Sequence, residues 1–167
     1  MKYLQYLSIA LSLFTIPILF PNCSTSNKNS KSDSTNVSYA QIVTDHQFVF
    51  NAQTVNPTRG RFRTLTSPYD VTVAKDTLRS YLPYFGRSYN PQYGSTTSPL
   101  DFTSTDFSYS VSPYKKNAWN ITIKPKDKTS IQQYFFTIYD NGSATLNVTS
   151  TSSDPISFNG RIEEKKQ

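Results

Sequence analysis

Tyr134-Phe135-Phe136-Thr137-Ile138-Tyr139-Asp140-Asn141-Gly142-Ser143-Ala144-Thr145-Leu146-Asn147-Val148 decides the fold. Tyr134, Phe136 and Ile138 alternate with Phe135, Thr137 and Tyr139, and Ala144, Leu146 and Val148 alternate with Thr145 and Asn147. A period of two is the strand period, because successive side chains leave opposite faces of a pleated chain. Asp140-Asn141-Gly142-Ser143 is the strongest turn signal in the sequence. A two-residue Asn141-Gly142 loop would pair Tyr139 with Ala144 and set Phe136 opposite Asn147, mixing the faces. A three-residue loop with Gly142 left-handed, as a bulge, pairs Ile138 with Ala144, Phe136 with Leu146 and Tyr134 with Val148. One face is then wholly apolar. A slip of one residue exchanges the two faces, so the pattern selects the bulged register.

The same alternation recurs on either side. Phe48, Phe50 and Ala52 show it, as do Tyr69, Val71 and Val73, then Phe107, Tyr109 and Val111, then Trp119, Ile121 and Ile123. Ile156, Phe158 and Ile162 end the series. Arg59, Arg61 and Arg63, interleaved with Gly60 and Phe62, read as a further strand. Its guanidinium groups either guard a sheet edge or fork onto phosphate or carboxylate. Consecutive strands with one apolar face predict an all-β domain, an antiparallel meander closing into a barrel or folding as a sandwich. A short N-terminal helix precedes it over 38–45, with Ser38 as cap and Ile42 and Val43 facing inward.

Between Lys75 and Leu100 the alternation fails. Pro83 and Gly86 predict a turn, with Tyr84 and Phe85 plugging the base of the sheet. Alternatively Tyr81, Tyr84, Arg87 and Tyr89 form a ligand or partner surface.

The N-terminus predicts an address. Met1-Lys2, an apolar run from Tyr3 to Phe20 and a break at Pro21 read as an export signal over 1–22, and Cys23 reads as the lipid-attachment residue. Phe20-Pro21-Asn22-Cys23 matches the usual lipoprotein pattern loosely, so a cleaved secreted chain and an uncleaved anchor stay open. Residues 23–37, rich in Ser, Thr, Asn and Lys, read as a disordered tether, 38–163 as the folded domain and 164–167 as a charged tail. No acidic run follows Cys23, which favours the periplasmic face of the outer membrane. Cys23 is the only cysteine, so no disulfide supports the fold. The net charge of +6 suits anionic envelope components rather than nucleic acid.

The chain resembles the domain-of-unknown-function family 4251, found in lipoproteins of Bacteroidota. The residues that carry this are Phe48 to Gln53, Leu65 to Val71, Tyr81-Leu82-Pro83-Tyr84-Phe85-Gly86-Arg87 and Phe102 to Phe107. Trp119 to Pro125, Asn141 to Ala144 and Ile156 to Gly160 complete the match. The resemblance implies a small lipocalin-like barrel or half-barrel, with no activity and no site residues to carry over.

Catalytic patterns are scarce. His46 is the only histidine, beside the tether, and reads as solvent-facing or capping. No Cys/His spacing suggests a metal. Ser112-Pro113-Tyr114-Lys115 matches Ser-x-x-Lys, but in a β setting rather than at a helix start. Asp70, Asp76, Asp101 and Asp106 are the carboxylates that could meet in space. The expectation is a non-catalytic module that needs no cofactor. It would bind a small apolar or amphipathic ligand at the barrel mouth through Tyr84, Arg87, Tyr89 and Trp119. The alternatives are a protein-interaction or inhibitor module using segment 81–93 and, third, an envelope hydrolase acting through carboxylates.

Overall fold

The computed structural model describes residues 38–89 and 97–165. The expected signal over 1–22, Cys23 and the tether over 23–37 lie outside the described residues.

Helix α1 spans Tyr39–Asp45. The strands are β1 (Phe48–Pro57), β2 (Arg63–Val73), β3 (Leu78–Tyr81), β4 (Asp101–Ser104) and β5 (Phe107–Lys115). They continue as β6 (Ala118–Pro125), β7 (Ile131–Tyr139), β8 (Ser143–Ser150) and β9 (Ile156–Glu164). The nine strands form one sheet in the order β4-β3-β2-β1-β9-β8-β7-β6-β5, with every neighbouring pair antiparallel. In an odd-numbered antiparallel row the first and last strands run the same way. Those strands are β4 and β5, and only Thr105 and Asp106 lie between them. Parallel neighbours need a crossover of roughly a dozen residues. β4 and β5 are therefore successive stretches of one bent strand, the first pairing with β3 and the second with β6. The meander thereby becomes a nearly closed barrel, as the alternation and the resemblance predict.

The decisive hairpin has the bulged register. Tyr134 pairs with Val148, Phe136 with Leu146 and Ile138 with Ala144. Gly142 has φ 78, a left-handed value open to glycine without a Cβ clash. Asn141 Oδ1 accepts the Ser143 N–H at 2.9 Å and closes the turn from the side.

The bore is solid. Phe48, Phe50, Tyr134, Phe136 and Phe158 are fully buried, together with Leu78, Leu82, Leu100, Ile121, Ile123, Ile138 and Leu146. The Phe136 ring meets Phe48 at 5.6 Å and Phe50 at 5.5 Å, both edge to face. Such rings each contribute roughly 1.5–3 kcal/mol by leaving water. One polar link crosses this interior. Ser80 Oγ donates to the Leu100 carbonyl at 2.7 Å, so the Tyr134 hydroxyl, 2.9 Å away, must donate to Ser80. Burial also pushes the Tyr134 phenol well above the usual tyrosine range.

The two ends of the barrel differ. At one end lie α1 and the β2–β3, β5–β6 and β7–β8 turns. At the other lie the connections 58–62, 126–130 and 151–155 and the segments 82–89 and 97–100. α1 packs Ile42 and Val43 into the core. The Tyr109 hydroxyl on β5 donates to the Val43 carbonyl at 2.8 Å, and its ring stacks on His46 at 3.7 Å. His46 holds the left-handed C-cap of the helix, φ 55.

Four expectations need correction. Arg59 to Phe62 form a turn, not a strand, because Thr58 directs its N–H (3.4 Å) and hydroxyl (2.6 Å) to the Pro155 carbonyl and leaves the ladder. The segment between Lys75 and Leu100 contains strand β3, and β4 follows it directly; their inward residues include Ser80 and Ser104 and so hide the apolar period. Phe85 does not plug the base; it is 38% exposed and Leu82 is buried instead. Ser38 stands at the N-cap but its side chain makes no cap hydrogen bond.

The Ser80–Tyr134 link gives an asymmetric test. Tyr134→Phe leaves Ser80 bonded to Leu100 and is expected to cost about 0.5–1.5 kcal/mol. Ser80→Ala orphans a fully buried phenol and is expected to cost more, about 1–3 kcal/mol. Urea unfolding of the two variants checks the order.

Candidate functional site

The loop end is organised round Asp154, whose side chain is only 6% exposed. Its N–H donates to the Arg87 carbonyl at 3.0 Å. The Tyr84 hydroxyl lies 2.9 Å from the Asp154 carbonyl and 3.0 Å from that of Arg87, sharing its one hydrogen between them. This folds Tyr84 back over Gly86, where a Cβ would press on the hydroxyl and push it off its acceptors. The Tyr89 hydroxyl donates to Asp154 Oδ1, and the Tyr89 N–H to the Ser152 carbonyl at 2.7 Å. The other carboxylate oxygen, Oδ2, has no hydrogen bond; Arg59 Nε approaches it at 3.9 Å. One buried acid thus fastens segment 84–89 to the 151–155 and 58–62 connections.

Around this fastening stand side chains that the core does not use. Phe62 is 60% exposed, Tyr89 56% and Phe85 38%. The Arg63 guanidinium lies 4.8 Å from the Phe85 ring centroid, a cation–π contact. Arg61 and Arg87 are exposed, and among the described residues neither has a carboxylate partner. The surface is basic and aromatic.

A cleft of about 440 Å³ lies beside it, lined by Tyr69, Tyr81, Leu82, Pro83, Tyr84, Thr97, Ser98, Pro99 and Asp101. The rings of Tyr69 and Tyr81 are 5.4 Å apart and tilted by 35°.

Of the candidate residues, Tyr84, Arg87 and Tyr89 come together at the loop end, Arg87 fastening through its backbone. Trp119 does not join them. It is the second residue of β6, half-buried against the core at the helix end. Asp154 carries no motif, and the only hint in the sequence is its place before Pro155, where a turn is favoured. Among the candidate carboxylates, Asp70 and Asp101 flank Tyr81 across β2, β3 and β4. Asp76 lies in the β2–β3 turn and Asp106 pairs with Lys126 at 3.4 Å. Among the described residues no three His, Cys, Asp or Glu side chains gather as a metal site. Ser112 and Lys115 lie on strand β5.

Fold and site together define an antiparallel β-barrel with a packed core and a decorated loop end. Residues 30–162 match the model of the Domain of unknown function (DUF4251) family, and the chain belongs to that family. The crystal structure of a DUF4251 family protein from Bacteroides eggerthii is similar at TM-score 0.54. It shares 19% identity over 75% of this chain and 84% of that one, a likeness in fold. No curated protein matches.

The phenols give a pH signature. The Tyr89 phenol is raised first by its hydrogen bond to Asp154, then by burial; that of Tyr84 is raised mainly by burial. Desolvation raises the half-buried Tyr109 phenol too. A raised phenol favours the folded state while it keeps its proton. The contribution of these phenols to stability should therefore be constant below pH ~10 and be lost above it, as the unfolded chain ionises first. Melting curves across alkaline pH check this. In Asp154→Ala, Tyr89 should ionise nearer the ordinary tyrosine value by ultraviolet titration, and trypsin should cut faster after Arg87.

Proposed function

We propose that this is a non-catalytic docking module of the bacterial cell envelope, held by lipid on Cys23, that engages a protein partner through its loop end. One observation carries the reading. The bore is filled by its own side chains, while Phe62, Phe85 and Tyr89 stand exposed among Arg61, Arg63 and Arg87. Aromatic residues and arginine are the types that anchor protein interfaces, because they bury large area at low entropic cost and keep a polar handle. Exposed apolar side chains gathered at one end of a domain mark interaction sites.

The entry point of the chain supports the orientation. α1 packs at the end opposite the docking face. The segment 23–37, fully extended, spans at most on the order of 50 Å. A lipid on Cys23 would leave the docking face free to point away from the anchor. The address rests on Met1-Lys2, the apolar run to Phe20 and Cys23, with the periplasmic face of the outer membrane as its place.

A second reading is favoured by the cleft of about 440 Å³. A small amphipathic ligand would sit there, outside the barrel, with Tyr84 among its contacts.

Two experiments test the proposal. A photo-crosslinking residue at position 62 or 89, in the native envelope, should give a discrete protein adduct that the same residue at position 116 does not give. Equal labelling at both ends, or none at 62 and 89, overturns the docking face. Mass spectrometry should find acyl mass on Cys23, and Cys23→Ser should move the protein to the soluble fraction; an unmodified cysteine removes the anchor.

A further inference from the structure

The outer face of β2, β3 and β4 carries a row that the core does not need. Tyr81 is the direct cross-strand partner of Asp70 on one side and Asp101 on the other. Side chains so placed share a face, with Cβ atoms about 4.5–5.5 Å apart. A tyrosine ring, 42% exposed, therefore stands between two carboxylates. The Tyr69 ring lies 5.4 Å from it, and both border the cleft with Tyr84 and Asp101.

The charges are unequal in their partners. Asp70 accepts the Thr72 hydroxyl at 3.0 Å and has Arg79 at 3.9 Å. The Asp101 carboxylate has no hydrogen bond or ion pair among the described residues. It is also the one charged group lining the cleft. In a chain of net charge +6, this face offers the opposite sign.

Ligand classes can be sorted by these facts. An anion would meet Asp101 at contact range and be repelled. A purely apolar ligand would strip water from that carboxylate and return nothing. An ammonium group gains twice. The faces of tyrosine rings are the negative ends of their quadrupoles, and a cation within about 6 Å of the centroid is attracted to them. Asp101 supplies the compensating charge. We infer that the cleft binds a small organic ammonium ion, with the cationic nitrogen against the Tyr69 and Tyr81 rings and paired with Asp101. This rests on the small-ligand reading of the cleft and is independent of the docking face.

The test uses the full-length protein, choline, n-butylammonium and dimethylbutanol, the uncharged carbon isostere of choline. Ring protons of Tyr69 and Tyr81 are followed by NMR. Choline or butylammonium should give saturable shifts, with affinity about tenfold or more above that of the alcohol. Which of the two binds tells a quaternary from a primary amine source, and either supports the inference. Tyr81→Leu and Asp101→Asn should each weaken binding about tenfold at unchanged melting temperature. Arg79→Ala should strengthen it by removing a competing positive charge. If the alcohol binds as well as the cations, the cleft is a small-molecule site of another class and the inference fails alone. If none of the three saturates, the inference and the small-ligand reading fail together.

Discussion

Everything in this domain follows from a barrel whose bore is packed with its own aromatic and aliphatic side chains. The inward residues of β1, β6, β7, β8 and β9 are large enough to meet at the axis, and Phe136 touches Phe48 and Phe50 there. Protein interiors are close-packed, and these rings fill the space between β1 and β7. Recognition is thereby displaced to the rims and the outer face. The helix end is closed by α1 and short turns, with Tyr114 exposed beside Lys115, whereas the other end has the long connections and exposes Phe62, Phe85 and Tyr89.

The sequence was legible where burial and chemistry agree. In β7 and β8 every inward residue is apolar, so the pattern fixes both strands and the register of the turn between them. It was illegible where they part. Ser80 and Ser104 face inward because hydrogen bonds satisfy them: Ser80 through Leu100 and Tyr134, Ser104 through Asp106 and Asp127. A polar residue on the buried face erases the alternation, which is why β3 and β4 could not be read. The reverse error occurred at Arg59 to Phe62, where alternation without burial imitated a strand. Such conflicts between local pattern and tertiary demand are where sequence reading fails.

The site was half legible for a related reason. Tyr84 and Tyr89 are unusual as aromatics outside the alternating pattern, so composition pointed to them. Asp154 is not unusual in any local sense. Its role exists because three connections remote in sequence converge on it, a property of topology. Trp119 attracted attention by type, yet β6 assigns it to the wall at the other end.

β1 and β9 are neighbours over nearly their whole length, from Phe48 opposite Glu164 to Pro57 opposite Ile156. The first strand of the barrel therefore waits for the last before one of its edges is covered. Loop closure over that separation must be paid for early and is rewarded late, which slows folding. The barrel cannot be completed in stages, because the edge of β1 stays open until β9 arrives.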